Sequence, residues 1–94
     1  MPHFVYLIYS KSNDIYYKGE SSRPYERLIE HNENLSRYTA GKGPWELVYL
    51  EELENRTEAL KREKSLKRQN RRYLEWLIHQ PLNKISMPPG HGPG

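Results

Sequence analysis

Residues 4–19 read FVYLIYSKSNDIYYKG, and this stretch decides the fold. Residues 4–10 are rich in apolar, aromatic and β-branched side chains, which predicts a β-strand. Lys11-Ser12-Asn13-Asp14 has the composition of a turn, because short polar side chains form hydrogen bonds with nearby backbone groups. Residues 15–19 predict a second strand. The whole stretch therefore predicts an antiparallel hairpin.

The register of this hairpin places two tyrosines together. If Ser10 pairs with Ile15, then Ile8 faces Tyr17, and Tyr6 lies on the same face of the sheet, diagonal to Tyr17. Diagonal neighbours lie roughly 7 Å apart, so two phenols can flank one small ligand. A shift of one residue would separate the phenols onto opposite faces.

The chain after the hairpin predicts one more strand and three helices. Ser22 is a candidate N-cap for a helix that has Pro24 in its first turn and runs to about residue 33. A loop over residues 34–44 leads to a predicted strand over residues 45–53.

Two asparagines mark the starts of the last two helices. Asn55 with Glu58 resembles a capping box and predicts a helix to about residue 68. Asn70 caps a last short helix with apolar packing residues. The element order β-β-α-β-α-α predicts an α+β fold, in which helices flank a small three-stranded antiparallel sheet.

The length and composition indicate one small domain. The chain has 94 residues, and we assign the domain to residues 1–80 and predict that the Pro- and Gly-rich residues 81–94 form a disordered tail. There is no cysteine, and no apolar run approaches the roughly 20 residues of a membrane helix. The first residues lack the regions of a secretory signal. We therefore expect a cytoplasmic protein without membrane contact.

The basic residues are concentrated in one region. The formal net charge is only +3, but residues 56–73 carry eight basic side chains against Glu58 and Glu63. Such a stripe suits a polyanion, although a solvated helix face has the same composition.

Glu63 is the candidate metal ligand that helical geometry indicates. Ala59, Leu60 and Leu66 define the apolar side of its helix, and Glu63 points the same way, four residues after Ala59 and three before Leu66. A carboxylate that points inward needs a partner. That partner is either a base such as Arg27, in a salt bridge, or a Mg²⁺ ion, which prefers carboxylate oxygen and retained water.

Arg27 and His31 are four residues apart, so they lie on one face of the first helix, whose apolar side we assign to Tyr25, Leu28 and Ile29. A guanidinium can bind a phosphate with its planar fork. Taken singly, each residue also has an ordinary explanation, as a surface arginine or a structural histidine.

The ordered set of motifs resembles the GIY-YIG nuclease family. Phe4-Val5-Tyr6 corresponds to the first motif and Tyr17-Lys18-Gly19 to the second. Further similarity to small stand-alone members of the family lies in residues 19–21, 27–32, 38–39, 44–49 and 59–64. The resemblance covers about residues 4–78.

This resemblance implies phosphodiester hydrolysis with one divalent metal ion, Mg²⁺ or Mn²⁺. It implies that Glu63 is the metal ligand and Arg27 the cation that binds phosphate. Tyr6 and Tyr17 would orient or deprotonate the attacking water, with assistance from His31. Gly19 would allow close approach of the backbone.

Several positions depart from the family pattern. Phe4-Val5 replaces Gly-Ile, and Lys18 replaces the middle isoleucine of the second motif; as a strand residue, Lys18 is expected on the outer face, where it is either neutral or a contact to DNA. Glu20 stands where some relatives carry a cation. The late asparagine of the family has no secure match, and Asn70 is the residue nearest to it.

The leading hypothesis is a metal-dependent DNA endonuclease that acts on branched or damaged DNA in repair or recombination. Its candidate nucleic-acid contacts are Lys18, Arg23, Lys42, Lys64, Lys67 and Arg68. So small a domain has little surface for reading bases, so we expect preference for DNA structure over sequence. Two alternatives are a non-catalytic nucleic-acid-binding module that uses the basic helix, and an adaptor for an acidic protein. No small-molecule cofactor is expected.

Overall fold

The computed structural model describes residues 2–85 and has the predicted α+β architecture. The elements are β1 (His3–Ser10), β2 (Ile15–Ser21), α1 (Pro24–Asn32), β3 (Trp45–Leu53), α2 (Arg56–Lys67) and α3 (Arg71–Ile78). The three strands form one antiparallel sheet in the order β2-β1-β3. The predicted fold class and element order are confirmed. Within residues 2–85, no helix is both long enough and apolar enough to cross a membrane.

Of the registers considered for the hairpin, the structure has the one that brings the two tyrosines onto one face. Ser10 pairs with Ile15, Ile8 with Tyr17, and Tyr6 with Gly19. Asp14 completes the turn with a φ of 55°, a left-handed conformation that Asp tolerates. Tyr6 and Tyr17 therefore share one face of the sheet.

The sheet has a core on each face. On one face, Val5 and Leu7 of β1 pack with Ala59 and Leu66 of α2 and with the apolar side of α3. The other core contains Tyr6, Ile8, Trp45, Leu47 and Leu50, with Leu28 of α1 packed against it.

A β-bulge in β3 determines which of its residues pack into each of the two cores. Leu7 pairs with Tyr49, whereas the next residue, Ile8, pairs with Leu47. The intervening Val48 is thus an extra residue, and Val48 and Tyr49 both join the α2 core although they are adjacent in sequence. Strict alternation along a strand would not predict this.

The capping asparagines lie where the sequence predicts them, but the start of α1 differs. Asn55 Oδ1 accepts the Glu58 backbone N–H at 3.0 Å, and Asn70 Oδ1 accepts that of Tyr73 at 2.9 Å. The N-cap of α1 is Arg23, which makes no side-chain capping bond, so the assignment of Ser22 as N-cap is wrong. Pro24 opens the helix with a preset φ, and its missing N–H needs no cap.

The last described residues pack against β3 through Asn83. Its side-chain amide donates to the carbonyls of Val48 and Ile78 at 3.0 and 2.8 Å, and its Oδ1 accepts the Leu50 N–H at 3.0 Å. Lys84 N–H donates to the Leu50 carbonyl at 2.8 Å. These contacts extend the packed part of the chain to residue 85. The remainder of the predicted tail, residues 86–94, lies outside the described residues.

Candidate active site

Tyr6 lies at the centre of the candidate site, on the middle strand of the sheet. Its side chain is buried and packs over its partner Gly19 on the edge strand β2. A Cβ at position 19 would overlap the hydroxyl end of the Tyr6 ring. Gly19 is therefore the residue that makes room for the Tyr6 phenol.

A buried chain of hydrogen bonds joins Tyr6 to the loop that follows α1. The Tyr6 hydroxyl lies 2.8 Å from His31 Nε2, and His31 Nδ1 lies 2.7 Å from Thr39 Oγ1. Thr39 Oγ1 is 3.5 Å from the Ser36 carbonyl, a long contact through which it can donate its own proton. Tyr6, His31 and Thr39 are all inaccessible to solvent or almost so.

The positions of the protons along this chain depend on which acceptor Thr39 donates to. Burial lowers the pKa of His31 to about 4, and the positive charge of Arg27 acts in the same direction. The imidazole is therefore neutral at neutral pH. If Thr39 donates to the Ser36 carbonyl, His31 Nδ1–H donates to Thr39, and His31 Nε2 is left to accept the Tyr6 proton.

Tyr6 is a neutral phenol in this resting arrangement. Burial raises its pKa well above the usual tyrosine value, and the Arg27 guanidinium opposes this rise. The charges of Tyr17 and Glu63 raise the pKa further. An isolated Tyr6 phenolate is therefore an unfavourable species, and proton transfer from Tyr6 needs an acceptor in place.

Tyr17 borders the same chain from β2. Its ring is half-buried and meets the His31 ring edge-on, with the centroids 5.2 Å apart, and the Trp45 ring at 6.5 Å. Its hydroxyl makes no hydrogen bond to any of residues 2–85. Tyr17 thus supports the imidazole with its ring.

Arg27 is half-buried beside Tyr6 and His31. Its guanidinium donates to Glu30 Oε1 at 2.8 Å and to Ser36 Oγ at 3.4 Å. The salt bridge to Glu63 that the sequence left open does not form, because Arg27 pairs with Glu30 on its own helix. Its charge nevertheless acts on the pKa of both Tyr6 and His31.

The side of α1 that faces the sheet differs from the predicted one. Pro24, Leu28 and His31 face inward at the i, i+4, i+7 spacing of a helix face, whereas Tyr25 and Ile29 are exposed. The assignment of Tyr25 and Ile29 to the packing side is wrong. The inward side of α1 is the one on which His31 bonds to Tyr6 and Thr39 and Leu28 packs against the sheet.

Glu63 approaches from α2, the helix on the opposite face of the sheet. Its side chain is 17% exposed, and Lys67 Nζ lies 3.8 Å from Glu63 Oε1. Burial raises its pKa, and the charge of Glu20 adds to this effect while Lys67 opposes it. Its inward direction is confirmed, and the charge of Glu63 reaches Tyr6.

The residues around Glu63 fit a sparsely liganded cation. Residues 2–85 contain no cluster of three or more His, Cys, Asp or Glu side chains that could hold a metal ion. A half-buried carboxylate with a second carboxylate acting on it favours positive charge. Mg²⁺ is commonly held by one or two carboxylates, with water and substrate phosphate as its other ligands.

Comparison with known proteins agrees with this arrangement. The family model described as GIY-YIG catalytic domain matches residues 2–76, which include Tyr6, Gly19, His31 and Glu63. The chain belongs to the GIY-YIG family. The predicted family membership is confirmed.

Relatives of this GIY-YIG chain are UPF0213 proteins. One from Staphylococcus epidermidis is 40% identical over 80 residues, covering 83% of this chain and 95% of its own length. One from Clostridium perfringens is 36% identical over 77 residues, covering 81% and 82%. The solution NMR structure of a UPF0213 protein from Bacillus halodurans has a TM-score of 0.53 and 30% identity, with 83% of both chains covered.

The predicted nucleic-acid contacts of this GIY-YIG domain are spread over several surfaces. Lys64, Lys67 and Arg68 are exposed along α2 and its end, and Arg23 and Lys42 are exposed near α1. Lys18 is half-buried on the α2 side of the sheet, because its partner on β1 is Leu7. It therefore does not lie on an outer face, and it borders a groove with Asp14 and Arg71.

The site of this GIY-YIG domain contains two loop residues to which the sequence analysis gave no role. Thr39 and Ser36 are buried and contact His31 and Arg27. A Ser or Thr in a loop carries no periodic signal, although Thr39 lies within the family resemblance over residues 38–39. Asn70 serves as the N-cap of α3. The structure thus brings Tyr6, Tyr17, Gly19, Arg27 and His31 together on one face, with Glu63 on the helix of the other.

Proposed function

We propose that this GIY-YIG domain is a metal-dependent endonuclease that hydrolyses DNA phosphodiester bonds and selects DNA by structure. The observation that carries the proposal is the buried hydrogen bond between the Tyr6 hydroxyl and Nε2 of a neutral His31. Family membership supports a nuclease in general, and the basic residues of α2 support a polyanionic substrate. Roles in DNA repair or recombination follow from the preference for DNA structure.

The Tyr6–His31 pair can act as a proton relay. A phenol with a raised pKa does not deprotonate water by itself. Tyr6 can accept a proton from water only as its own proton passes to His31 Nε2, 2.8 Å away. General base catalysis of this kind contributes about 10²–10⁴-fold to a rate. Tyr17, whose hydroxyl has no bond within the described residues, is positioned to orient the water.

Two further groups would stabilise the negative charge that develops on the phosphate. Arg27 has a guanidinium held by Glu30 and Ser36, so its orientation is fixed before substrate binds. Glu63 would hold the divalent cation, whose chemistry when bound is to stabilise negative charge on phosphoryl oxygens. Because the charge of Glu63 raises the pKa of Tyr6, neutralising that carboxylate makes transfer of the Tyr6 proton easier.

A panel of DNA substrates tests the proposal. Linear, nicked, flapped and branched DNAs are incubated with Mg²⁺ or Mn²⁺ and the wild-type protein, Glu63→Gln or Glu58→Gln. Glu58 lies on the same helix, is exposed and pairs with Lys61, so it is the matched control. We expect cleavage of flapped or branched DNA by wild type and Glu58→Gln, and none by Glu63→Gln. Full activity of Glu63→Gln would contradict the assignment.

A non-catalytic nucleic-acid-binding module is the second candidate. The observation that favours it is the exposed basic surface of Lys64, Lys67 and Arg68, which needs no metal to bind phosphate. It predicts salt-dependent DNA binding, no cleavage with any metal, and equal binding by Glu63→Gln and wild type.

A further inference from the structure

The loop between α1 and β3 presents two large apolar side chains to solvent beside the candidate active site. Leu35 is 69% exposed and Tyr38 is 70% exposed, the highest values among the large hydrophobic residues of the described chain. They flank the exposed Arg37. We call residues 35–38 the apolar loop. Exposed aromatic and aliphatic side chains on a loop beside a candidate site are candidates for ligand contact, because binding residues are concentrated on loops.

The backbone of the apolar loop is held in place. Leu35 N–H donates to the Glu30 carbonyl at 3.0 Å, and Ala40 N–H donates to the Ser36 carbonyl at 3.0 Å. The Asn34 side chain accepts the Gly41 N–H at 2.9 Å across the base of the loop. The backbone that carries the exposed Leu35 and Tyr38 is therefore already ordered. Binding a ligand there would lose little conformational entropy of the loop.

Two buried side chains of this loop form hydrogen bonds with candidate catalytic residues. Ser36 Oγ accepts from Arg27, and Thr39 Oγ1 bonds to His31. Tyr38 immediately precedes Thr39, so their Cα atoms are about 3.8 Å apart. Tyr38 is thus the chain neighbour of the residue that bonds to His31, in a loop whose backbone is held beside the candidate site.

The charge of the residues around Tyr38 indicates which class of ligand the apolar loop would bind. Residues 35–43 contain Arg37 and Lys42 and no acidic residue. An aromatic side chain next to cations suits a nucleobase with its flanking phosphates, since bases stack on aromatic rings while cations bind the backbone. An apolar side chain such as Leu35 can fill the space where base stacking is interrupted.

We propose that the apolar loop binds an unpaired nucleobase next to the scissile phosphate, with Tyr38 stacked on the base and Leu35 at the break in base stacking. This inference rests on the proposed function for the choice of DNA as ligand. It gives the preference for DNA structure a physical cause: continuous duplex offers no free base face to Tyr38. Flaps, gaps and single strands do.

The test measures binding apart from cleavage. The Glu63→Gln protein is titrated with DNA that carries 2-aminopurine at the unpaired position of a flap, and with a continuous duplex of the same sequence. Stacking on Tyr38 is expected to quench the fluorescence. Tyr38→Ala is expected to weaken binding to the flap by roughly 5- to 150-fold, the loss that corresponds to about 1–3 kcal/mol per stacked base. Tyr38→Phe is expected to retain binding.

Matched control variants distinguish loss of base stacking from the general effect of removing an exposed apolar side chain. Tyr25→Ala removes a tyrosine that is 59% exposed on α1, and Leu82→Ala removes a leucine that is 56% exposed near the end of the described chain. Both are expected to bind flap and duplex within about 2-fold of the parent protein, as is usual for surface changes. Leu35→Ala is expected to weaken flap binding and leave duplex binding unchanged.

Three results on binding and assembly would overturn the inference. They are equal flap binding by Tyr38→Ala and Tyr25→Ala, equal loss on flap and duplex, and a dimer that Leu35→Ala or Tyr38→Ala dissociates, which would assign the loop to a second copy of the chain. Cleavage by wild type without any dependence on Tyr38 defeats this inference alone. Tyr38-dependent quenching without cleavage of any DNA defeats the proposed nuclease activity alone.

Discussion

The Tyr6 hydroxyl and His31 Nε2 lie 2.8 Å apart although 25 residues separate them in sequence. Tyr6 comes from the central strand and His31 from the last turn of α1, and both side chains are buried. The pair links the sheet to α1 and forms the chemical centre of the candidate site. Each of the following predictions concerns this pair or a group that acts on it.

Tyr6→Phe removes the hydroxyl and leaves His31 Nε2 buried without a partner. We expect a loss of about 1–3 kcal/mol in the free energy of unfolding, measured by denaturant titration, and loss of DNA cleavage. Tyr49→Phe is the control, because the Tyr49 hydroxyl donates to the buried Glu51 on the other side of the sheet. That variant is expected to lose stability but to keep cleavage. Cleavage by Tyr6→Phe at the wild-type rate would exclude the relay.

Gly19→Ala places a methyl group against the Tyr6 ring. The ring is packed on both sides, so we expect a loss of about 1–3 kcal/mol in the free energy of unfolding, as for other overpacked cores. In a Tyr6→Ala background the added methyl has room, and the same change is expected to be less destabilising. Equal losses in the two backgrounds would show that the Tyr6 ring is not the obstacle.

His31 makes stability depend on pH. Its pKa is about 4 in the folded protein against about 6.5 for the ordinary side chain. Between these two pH values His31 is protonated in the unfolded chain and neutral in the folded protein. The contribution of His31 to the free energy of unfolding is therefore fully present above about pH 6.5 and falls as the pH approaches 4. The loss is up to about 3 kcal/mol. Compared with wild type, His31→Gln should show a shallower decline of unfolding free energy over this range.

Arg27→Gln should raise the pKa of His31. The guanidinium charge lowers that pKa, and its removal leaves burial as the main cause of the depression. The measurement is an NMR titration of the His31 ring protons. Arg23→Gln is the control, because Arg23 is exposed and pairs only with Glu26 among the described residues. An unchanged His31 pKa in Arg27→Gln would mean that Arg27 does not act on the relay.

Glu63→Gln should retain or increase stability while it removes metal-dependent activity. The raised pKa of Glu63 means that its charged form is disfavoured by folding at neutral pH. Glu51→Gln is the contrast, because Glu51 is buried and bonds to Arg62 at 2.9 Å and to the Tyr49 hydroxyl. Its loss should lower the unfolding free energy. Thermal unfolding of both variants distinguishes a residue retained for function from one retained for structure.

The local pattern of the chain predicted the type and order of the secondary-structure elements. The hairpin turn and the caps at Asn55 and Asn70 were predicted correctly, and the hairpin has the Ser10–Ile15 pairing that the sequence analysis considered. Each depends on residues within a few positions of one another. The inward direction of Glu63 was predicted for the same reason, since helical spacing alone relates it to Ala59 and Leu66.

The tertiary structure decided what joins the polar residues into a site. The sequence pattern did not predict which side of α1 faces the sheet. It also did not predict that His31 bonds to Tyr6 and Thr39, or that Arg27 pairs with Glu30 instead of Glu63. Apolar periodicity is a local property, whereas a buried polar side chain must find its hydrogen-bond partners wherever the fold brings them. By itself the sequence therefore determined the elements and the hairpin of the first two strands, and packing determined which of their polar groups meet.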